Sequence, residues 1–565
     1  MSLTSPRGAV PARRLLALAA TFTLSACQSD AARPASPALA IINARVWTGD
    51  SAAPWAEAIA TNGDTITAVG TTAAITASLA SGTRTIDAKG ALVTPGFIDS
   101  HVHFASGGFA LASVKLRDAS TKAEFIRRIA AFARATPKGT WIRNGDWDHQ
   151  AWGGELPVRA WIDSVTPDHP VWISRTDGHM YFANSATLRA ASVTKATPDV
   201  AGGTIVRDAQ GEPTGIFKDN ANDLIEKATP PRSVAEWDAC VDSATAFLAA
   251  NGVTTVAAME GWDELPAFQR ARASGRLKTR VMMATPLAAW PRLKDEIAKH
   301  GRGDNMLRLG RLKAFADGAL GSHTAAMLAP FSDTPRDSGF YLVPPESLYV
   351  WTKGADAAGL QVGIHAIGDL AIRTVLDIFE RVAKENGARD RRFRIEHAQH
   401  VAPPDFARFG AMGIIPSMQP YHAIDDGRWA DKPLGPARAK GTYAFRSMLD
   451  AHAPLAFGSD WTVAPPNVME GLQAAVTRRT LDGKHPGGWV PEQKITLEEA
   501  LVAYTRGSAR ASFQEAEVGV LRRGMLADIV VLDRDITKVA PEAIGEARVM
   551  VTVLGGRVIF ERAVP

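Results

Sequence analysis

The chain has 565 residues, which is enough for one large domain with a smaller one beside it. Apolar residues make up 46% of it and charged residues 22%, a balance that excludes disorder as its main state. A formal net charge of only +4 provides no electrostatic reason to expect nucleic-acid binding, and no internal run reaches the ~18 apolar residues of a membrane span.

Residues 1–26 have the pattern of a secretory signal peptide. Three arginines precede a short apolar run, and the run ends in the string LSAC, which resembles a bacterial lipoprotein box at Cys27. Gln28, in place of Asp, is typical of outer-membrane lipoproteins. We predict that Cys27 is lipidated and that residues 27–38 tether the protein to the outer membrane on its periplasmic side. A plain signal peptide cleaved nearby is the alternative.

The mature chain would be nearly neutral. Removal of the three arginines lowers the formal net charge from +4 to about +1. Cys240 is the only other cysteine, so a lipidated Cys27 leaves it no partner for an intramolecular disulfide. We therefore expect the lipid anchor to be the only contact with the membrane.

Both ends of the mature chain contain short strand-like segments bounded by Gly, Asp and Asn. Residues 39–94 contain AIINARVWTGD and DTITAVG, and residues 515–565 contain ADIVVLDRD and VTVLGGRVIFE. Gly555-Gly556, between two apolar runs, predicts a hairpin. We expect the two ends to meet in one small composite β-sandwich.

Residues 95–514 alternate between apolar strand-like pieces and helical pieces. A helix is expected around residues 371–386, and Thr496 with Glu499 forms a capping-box pattern before another helical run. Such alternation over about four hundred residues predicts an α/β fold, a (β/α)8 TIM-type barrel. Residues 115–245 are too many for one crossover and predict an insertion. Tryptophans at 141, 147, 152, 161 and 172 within it indicate a packed lid or wall.

Polar side chains occur at the ends of several proposed strands. His101 and His103 are two residues apart on an extended strand, so both imidazoles point the same way. Active sites of (β/α) barrels lie at the carboxyl ends of the strands, where these residues would converge. Imidazole and carboxylate groups bind divalent transition metals. The residues predicted to meet there are His101, His103, Lys313, His365, His397 and Asp460.

These motifs resemble the amidohydrolase superfamily, and specifically the amidohydrolase family 3 group that includes N-substituted formamide deformylase. The resemblance extends from about residue 40 to about residue 560. The strings that carry it are TPGFIDSHVHF, GDWDHQAWGG, DGHMYFANSATL, KAFADGALGSHTAAM, HAIGDLAIRTVLD, FRIEHAQH, SMQPYH, FGSDW and GMLADIVVLD. It implies a metal-bearing barrel with a β-sandwich built from both termini.

The resemblance also implies a ligand set. His101, His103, His365, His397 and Asp460 match the metal ligands of the family, and Lys313 matches a lysine that in related enzymes is carboxylated and bridges two metals. One or two divalent ions are therefore expected, with zinc the default because it needs no redox chemistry. A free Lys313 would favour a single-metal site.

The implied function is hydrolysis of a carbon–nitrogen bond in a small-molecule amide or N-formyl compound. A metal-activated hydroxide would attack the carbonyl carbon, and Asp460 would accept its proton and pass it to the leaving nitrogen. The same site serves other reactions, so a cyclic-amide hydrolase or a deaminase is an alternative. A non-catalytic surface-binding lipoprotein is a further alternative, against which the intact ligand set argues.

Other polar and aromatic residues are candidates for substrate contact or support. We predict that His179, His422, Trp147 and Trp461 bind substrate, with Trp152 in the same apolar wall. Asp369 and Glu396 neighbour the histidines and are expected to orient them. His323 stands where the family resemblance leads us to expect Arg, which puts an anion-binding role at that position in doubt.

Overall fold

The structure, a computed structural model, describes residues 38–563 of the chain. The predicted signal peptide, Cys27 and the predicted tether up to residue 37 lie outside the described residues. No helix within residues 38–563 is long and apolar enough to cross a bilayer.

Eight parallel strands form the central sheet, and each is hydrogen-bonded to the next in chain order. Val253–Met259 is buried along its whole length, as expected for a strand whose sheet is covered on both faces. Barrel strands 1 to 8 are Phe97–Val102, Val253–Met259, Arg280–Pro286, Leu307–Phe315, Gln361–Ala366, Arg394–His397, Ile415–Met418 and Ala456–Phe457.

The barrel closes between strands 1 and 8. Strand 8 has only two residues, so the closure is completed by backbone hydrogen bonds beyond its end. Asp460 N–H donates to His101 O over 2.7 Å, and His103 N–H donates to Trp461 O over 2.8 Å. These bonds fix the segment that carries Asp460 against the end of the strand that carries His101.

Helices pack around the outside of the barrel. The helix expected around residues 371–386 is Asp369–Asn386. The capping box of Thr496 and Glu499 is present, but its helix ends at Ala503 and a second helix follows at Arg506–Ala511. The other helices of this part of the chain are Phe104–Leu111, Val234–Ala250, Leu265–Ala273, Trp290–His300, Pro345–Ala357, Phe406–Met412, Pro420–Asp426, Asp431–Leu434, Pro436–Ala439, Phe445–Asp450 and Val468–Thr477.

Segments from both ends of the chain build a second region of two sheets. Ile529–Leu532 pairs antiparallel with Leu92–Pro95, so one sheet combines C-terminal and N-terminal strands. The hairpin expected at Gly555-Gly556 joins Val549–Leu554 to Arg557–Glu561. The remaining strands of the two sheets are Leu39–Ile42, Arg45–Trp47, Trp55–Ala56, Ala58–Asn62, Thr65–Gly70 and Arg84–Asp87. The predicted fold class, a TIM-type barrel with a small β domain from both termini, is confirmed.

A separate five-stranded sheet lies between barrel strands 1 and 2 in the chain. Its strands, in spatial order, are Gly203–Arg207, Pro213–Asp219, Met180–Ala183, Val171–Ser174 and Ile142–Arg143. Trp147 and Trp172 belong to two different apolar clusters that pack with this sheet. Its helices are Lys122–Ala135, Ser185–Ala190 and Asp223–Glu226. The helix Val234–Ala250, at the end of this region, instead packs against barrel strand 2 and the helix Phe104–Leu111.

Candidate metal centre

The predicted ligands converge at the carboxyl ends of the barrel strands. Two groups of possible metal ligands share Asp460, one with His101 and His103 and the other with His397 and His422. Within each group the ligand atoms all lie within 4.8 Å of one another. His365 joins them through the His397 ring, whose centroid is 4.6 Å away.

Asp460 lies at the centre of this arrangement. Its Oδ1 atom is 3.3 Å from His103 Nε2 and 3.4 Å from His101 Nε2, and its Oδ2 atom is 3.8 Å from His397 Nδ1. These side chains come from the carboxyl ends of strands 1, 6 and 8, which face one site only because the sheet closes into a barrel.

Hydrogen bonds on the far side of the imidazoles select their tautomers. His101 Nδ1 lies 2.7 Å from Glu396 Oε2, so Nδ1 carries the proton and the Nε2 lone pair faces Asp460. His365 Nε2 donates to Gly318 O over 3.0 Å, which leaves the lone pair on Nδ1. Each ring therefore presents a free lone pair, the form in which histidine binds a metal ion.

Several buried atoms in the site have no hydrogen-bond partner among residues 38–563: His365 Nδ1, His422 Nε2 and Asp460 Oδ1. An unsatisfied buried polar atom costs about 1–3 kcal/mol. The lone pair of His101 Nε2 also faces a carboxylate oxygen 3.4 Å away, an acceptor opposite an acceptor. A divalent cation bound by either group of ligands would give Asp460 a partner, and the second group includes His422, so the donor set fits the implied metal.

A family model described as the amidohydrolase family matches residues 84–560. The chain belongs to the amidohydrolase family. It is 40% identical over 535 residues to Protein LONG AFTER FAR-RED 3 of Arabidopsis thaliana, an alignment that covers 92% of this chain and 91% of the relative. It is 30% identical to N-substituted formamide deformylase of Arthrobacter pascens, with 93% of this chain and 98% of the relative covered.

Solved structures place the amidohydrolase among metal-dependent hydrolases. A metal-dependent hydrolase from Pyrococcus horikoshii superposes with a TM-score of 0.72 at 29% identity, covering 89% of this chain and 99% of the other. The chain is therefore a hydrolase of a metal-dependent family.

Burial and ion pairing set the charges in the amidohydrolase site. Burial, with Lys313 nearby, lowers the pKa of His101 to about 4, and burial holds the pKa of His397 well below its usual range. Burial alone would raise the pKa of Asp460, but the surrounding imidazoles keep it well below its usual value. Burial thus favours the neutral form of His101 and His397, the form in which each ring can offer a lone pair to a cation.

Glu396 and Arg394 form a fully buried pair behind His101. Arg394 Nε donates to Glu396 Oε1 over 2.8 Å, and its Nη2 group donates to Ser417 Oγ over 2.6 Å. Burial would raise the pKa of Glu396, yet Arg394 and His101 hold it well below its usual range. Glu396 is therefore an ionised acceptor for His101.

Lys313 is buried beside the ligands. Its Nζ atom is 3.4 Å from His101 Nε2 and 4.5 Å from the centroid of the Phe315 ring. Burial lowers the pKa of Lys313 to about 8, so a substantial fraction of the amine is neutral in the weakly alkaline range.

The site opens into a cavity of about 70 Å³ between the barrel loops and the insertion. His179 and His422, both predicted to contact substrate, line this cavity. Charged residues that the sequence did not single out also line the cavity: Asp148, Arg175, Asp177, Asp425, Asp426 and Arg428. Such a volume is far below the ~300 Å³ at the lower end of ordinary ligand pockets.

The two tryptophans predicted to bind substrate lie outside this cavity. Trp147 is fully buried in the core of the insertion, where its Nε1–H donates to Ile173 O over 3.0 Å. Trp461 packs against Phe247, with ring centroids 5.2 Å apart, and against Gly107. Trp152 belongs to the same core as Trp147. These tryptophans are therefore buried by apolar packing inside the protein and do not line the cavity.

Asp369 differs from expectation, whereas His323 agrees with the doubt about anion binding at its position. The Oδ1 atom of Asp369 accepts from Leu328 N–H over 2.7 Å, so this carboxylate fixes a loop and holds no histidine. His323 Nε2 is 3.0 Å from Asp333 Oδ1. Asp333 therefore pairs with the imidazole nitrogen of His323 that an anion would otherwise contact.

Two carboxylates and an amide that lie beside the histidines of the site were not predicted from the sequence. Gln419 Oε1 lies 2.9 Å from His397 Nδ1, and Asp317 Oδ1 lies 3.7 Å from His365 Nε2. Gln419 directly follows one barrel strand and Asp317 lies two residues past the end of another, positions that could have indicated them. Asp219 lies 2.6 Å from His179, and its position at the end of an insertion strand offered no such indication.

Proposed function

We propose that this amidohydrolase hydrolyses the carbon–nitrogen bond of a small amide, with an N-formyl compound as the leading substrate class. The proposal depends on one observation, the convergence of neutral imidazoles and an ionised Asp460 whose Oδ1 has no hydrogen-bond partner among residues 38–563. Similarity to N-substituted formamide deformylase supports the N-formyl class.

The residues that would hold the metal are His101, His103, His365, His397 and Asp460. Zinc suits this set because histidine nitrogen and carboxylate oxygen are its usual ligands. When bound, a divalent ion supplies Lewis acidity and makes water a nucleophile near neutral pH. Lys313, in its N-carboxylated form, would add an anionic ligand for a second ion.

Carboxylation of Lys313 requires a neutral amine, since the nitrogen lone pair attacks carbon dioxide. Burial, which lowers the pKa of Lys313 to about 8, supplies that form. The carboxylated side chain would also replace a buried cation by an anion among ligands that bind cations.

Asp460 is the proton carrier in this proposal. Its Oδ1 atom accepts a proton from the attacking water and returns it to the leaving nitrogen. His179 and His422 line the cavity and would contact the carbonyl oxygen or the leaving group. The small cavity favours a compact acyl group such as formyl, and residues of the insertion, His179 among them, line it.

A substrate panel tests the proposal. Zinc-loaded protein is assayed with N-formyl amines, acyclic amides, cyclic amides and aminated heterocycles, and product amine or ammonia is measured. We expect turnover of the N-formyl compounds and its loss in Asp460→Asn, which should remain folded. His300→Ala, on an exposed helix end, is the control. Turnover of only cyclic amides or heterocycles would support the alternative reactions, and no turnover by folded, metal-loaded protein would contradict hydrolysis of these bonds.

We also propose that the protein is attached to the outer membrane by lipid on Cys27, which the lipoprotein-like string at residues 24–27 supports. Cys27→Ser should move the protein from the membrane fraction to the soluble periplasmic fraction. Continued membrane attachment of that variant would contradict lipid anchoring at this cysteine.

A further inference from the structure

His179 and Asp219 lie side by side in the insertion. His179 directly precedes the strand Met180–Ala183, and Asp219 ends the antiparallel neighbour Pro213–Asp219. Asp219 N–H donates to His179 O over 2.8 Å, and the side chains meet with Asp219 Oδ1 2.6 Å from His179 Nδ1. Backbone pairing and side-chain pairing therefore fix the same two residues.

The imidazole of His179 reaches the metal centre from above. Its centroid is 5.0 Å from that of His365 and 6.1 Å from that of Phe315, and the residue lines the cavity. Because Nδ1 faces Asp219, Nε2 is the ring nitrogen left for a bound molecule. An imidazole oriented in this way by a carboxylate is a common arrangement of catalytic histidines.

The backbone of Asp219 is strained. Its φ of 49° and ψ of −127° lie in a region that an L residue rarely adopts. Such conformations cost roughly 1–3 kcal/mol each and persist where the surrounding contacts enforce them, often at functional sites. A glycine would relieve this strain but would remove the carboxylate that meets His179.

The barrel holds the pair in place. A side-chain carbon at Gly318 would lie 2.0 Å from Thr324 Oγ1 and 3.0 Å from Asp219 Oδ1, so this barrel loop needs glycine where it passes the pair. The carbonyl of the same glycine accepts from His365 Nε2 over 3.0 Å. Gly318 thus contacts both the carboxylate behind His179 and a predicted metal ligand.

Further hydrogen bonds lock the turn that carries His179 to the barrel. His179 N–H donates to Asp177 Oδ1 over 3.1 Å, and Ser322 Oγ donates to Asp177 Oδ2 over 2.7 Å. Lys218 Nζ donates to Ser322 O over 2.8 Å. The insertion is therefore attached to the barrel loop at the point where it presents its histidine.

We propose that Asp219 is a positioning residue that holds His179 Nε2 against the scissile amide, so that the insertion supplies part of the active site. This inference rests on the proposed function and assigns to the insertion the positioning of a substrate-contacting histidine. Asp219 fixes the Nδ1–H tautomer and the ring orientation, and His179 makes the contact with substrate.

A double-mutant cycle tests the inference in the zinc-loaded enzyme. Asp219→Asn should lower kcat about 10- to 100-fold while KM changes less than about threefold, since outer partners of catalytic histidines have effects of this size. His179→Asn should lower kcat at least as much. Because Asp219 acts through His179, the double variant should be no slower than His179→Asn alone. The exposed Asp223→Asn is the matched control and should retain wild-type kinetics.

A proton NMR spectrum of the zinc-loaded protein provides a readout independent of turnover. A low-field imidazole N–H signal should be absent in both Asp219→Asn and His179→Asn and present in Asp223→Asn. Wild-type kcat in Asp219→Asn, or a double variant whose loss is the product of the single losses, would overturn the inference while leaving the proposed function intact. If the wild type hydrolyses no amide, the proposed function fails. The pairing of His179 with Asp219 is rejected as well if no imidazole N–H signal disappears in both variants.

Discussion

Glu396 Oε2 lies 2.7 Å from His101 Nδ1, inside a barrel where both side chains are fully buried. The carboxylate is bound in turn by Arg394, so His101 is held by a chain of charged hydrogen bonds. This relationship determines which nitrogen of His101 faces the centre of the site.

Glu396→Gln should weaken metal binding by roughly 10- to 100-fold, the usual effect of removing a partner behind a metal ligand. The neutral amide accepts more weakly and can present its NH2 group instead, so it favours the Nδ1–H tautomer of His101 less. Competition with a chromophoric chelator measures the affinity. Glu498→Gln, exposed at a helix start, is the control, and equal affinities in the two variants would contradict a role for Glu396 in orienting His101.

Removal of the metal should abolish activity and lower the melting temperature, because the buried, unpartnered ligand atoms lose the cation that pairs them. A ligand at a hundred times its Kd stabilises the folded state by about 2.7 kcal/mol. Calorimetric melting at increasing zinc concentration measures the shift. His103→Ala should flatten this dependence, and a melting temperature insensitive to zinc in the wild type would argue against a metal at this site.

Lys313 should carry a carboxyl group. Protein equilibrated with ¹³C-labelled carbon dioxide is expected to give a carbamate carbon signal, and elemental analysis should find two metal ions per chain. Lys313→Arg keeps a cation of similar length that does not carboxylate, so it should lose both the signal and one ion. A wild-type protein with one ion and no carbamate signal would show that the lysine stays free.

Trp147→Phe should reduce stability and leave substrate binding unchanged, because the indole packs in the core of the insertion and donates to Ile173 O. We expect a loss of roughly 1–3 kcal/mol, typical of a buried site, with KM unchanged. Thermal denaturation and steady-state kinetics measure the two effects. Trp429→Ala, which alters a cavity-lining tryptophan, should instead raise KM. A raised KM in Trp147→Phe would contradict this prediction and would indicate that Trp147 contacts substrate.

Some of the site could be predicted from local pattern alone. His101 and His103 point together because side chains two apart on a strand share a face. His365, His397 and Asp460 each follow or end an apolar run, and parallel strands in a barrel present their carboxyl ends at one face. Alternation of strands and helices was therefore sufficient to predict the barrel and the convergence of these residues.

Other properties depended on which distant segments meet. Trp147 and Trp461 are apolar side chains near the motifs in sequence, and only tertiary packing decides whether such a side chain faces a cavity or a core. Asp219 meets His179 because two insertion strands pair, and Gln419 meets His397 because strands 6 and 7 are adjacent. The sequence by itself determined the barrel and the convergence of the predicted ligands, because these follow from the short periods of strands and helices. Tertiary structure alone decided the hydrogen-bond partners behind the predicted ligands and the residues that line the cavity. Those contacts join residues far apart in the chain, and no local periodic pattern predicts which of them meet.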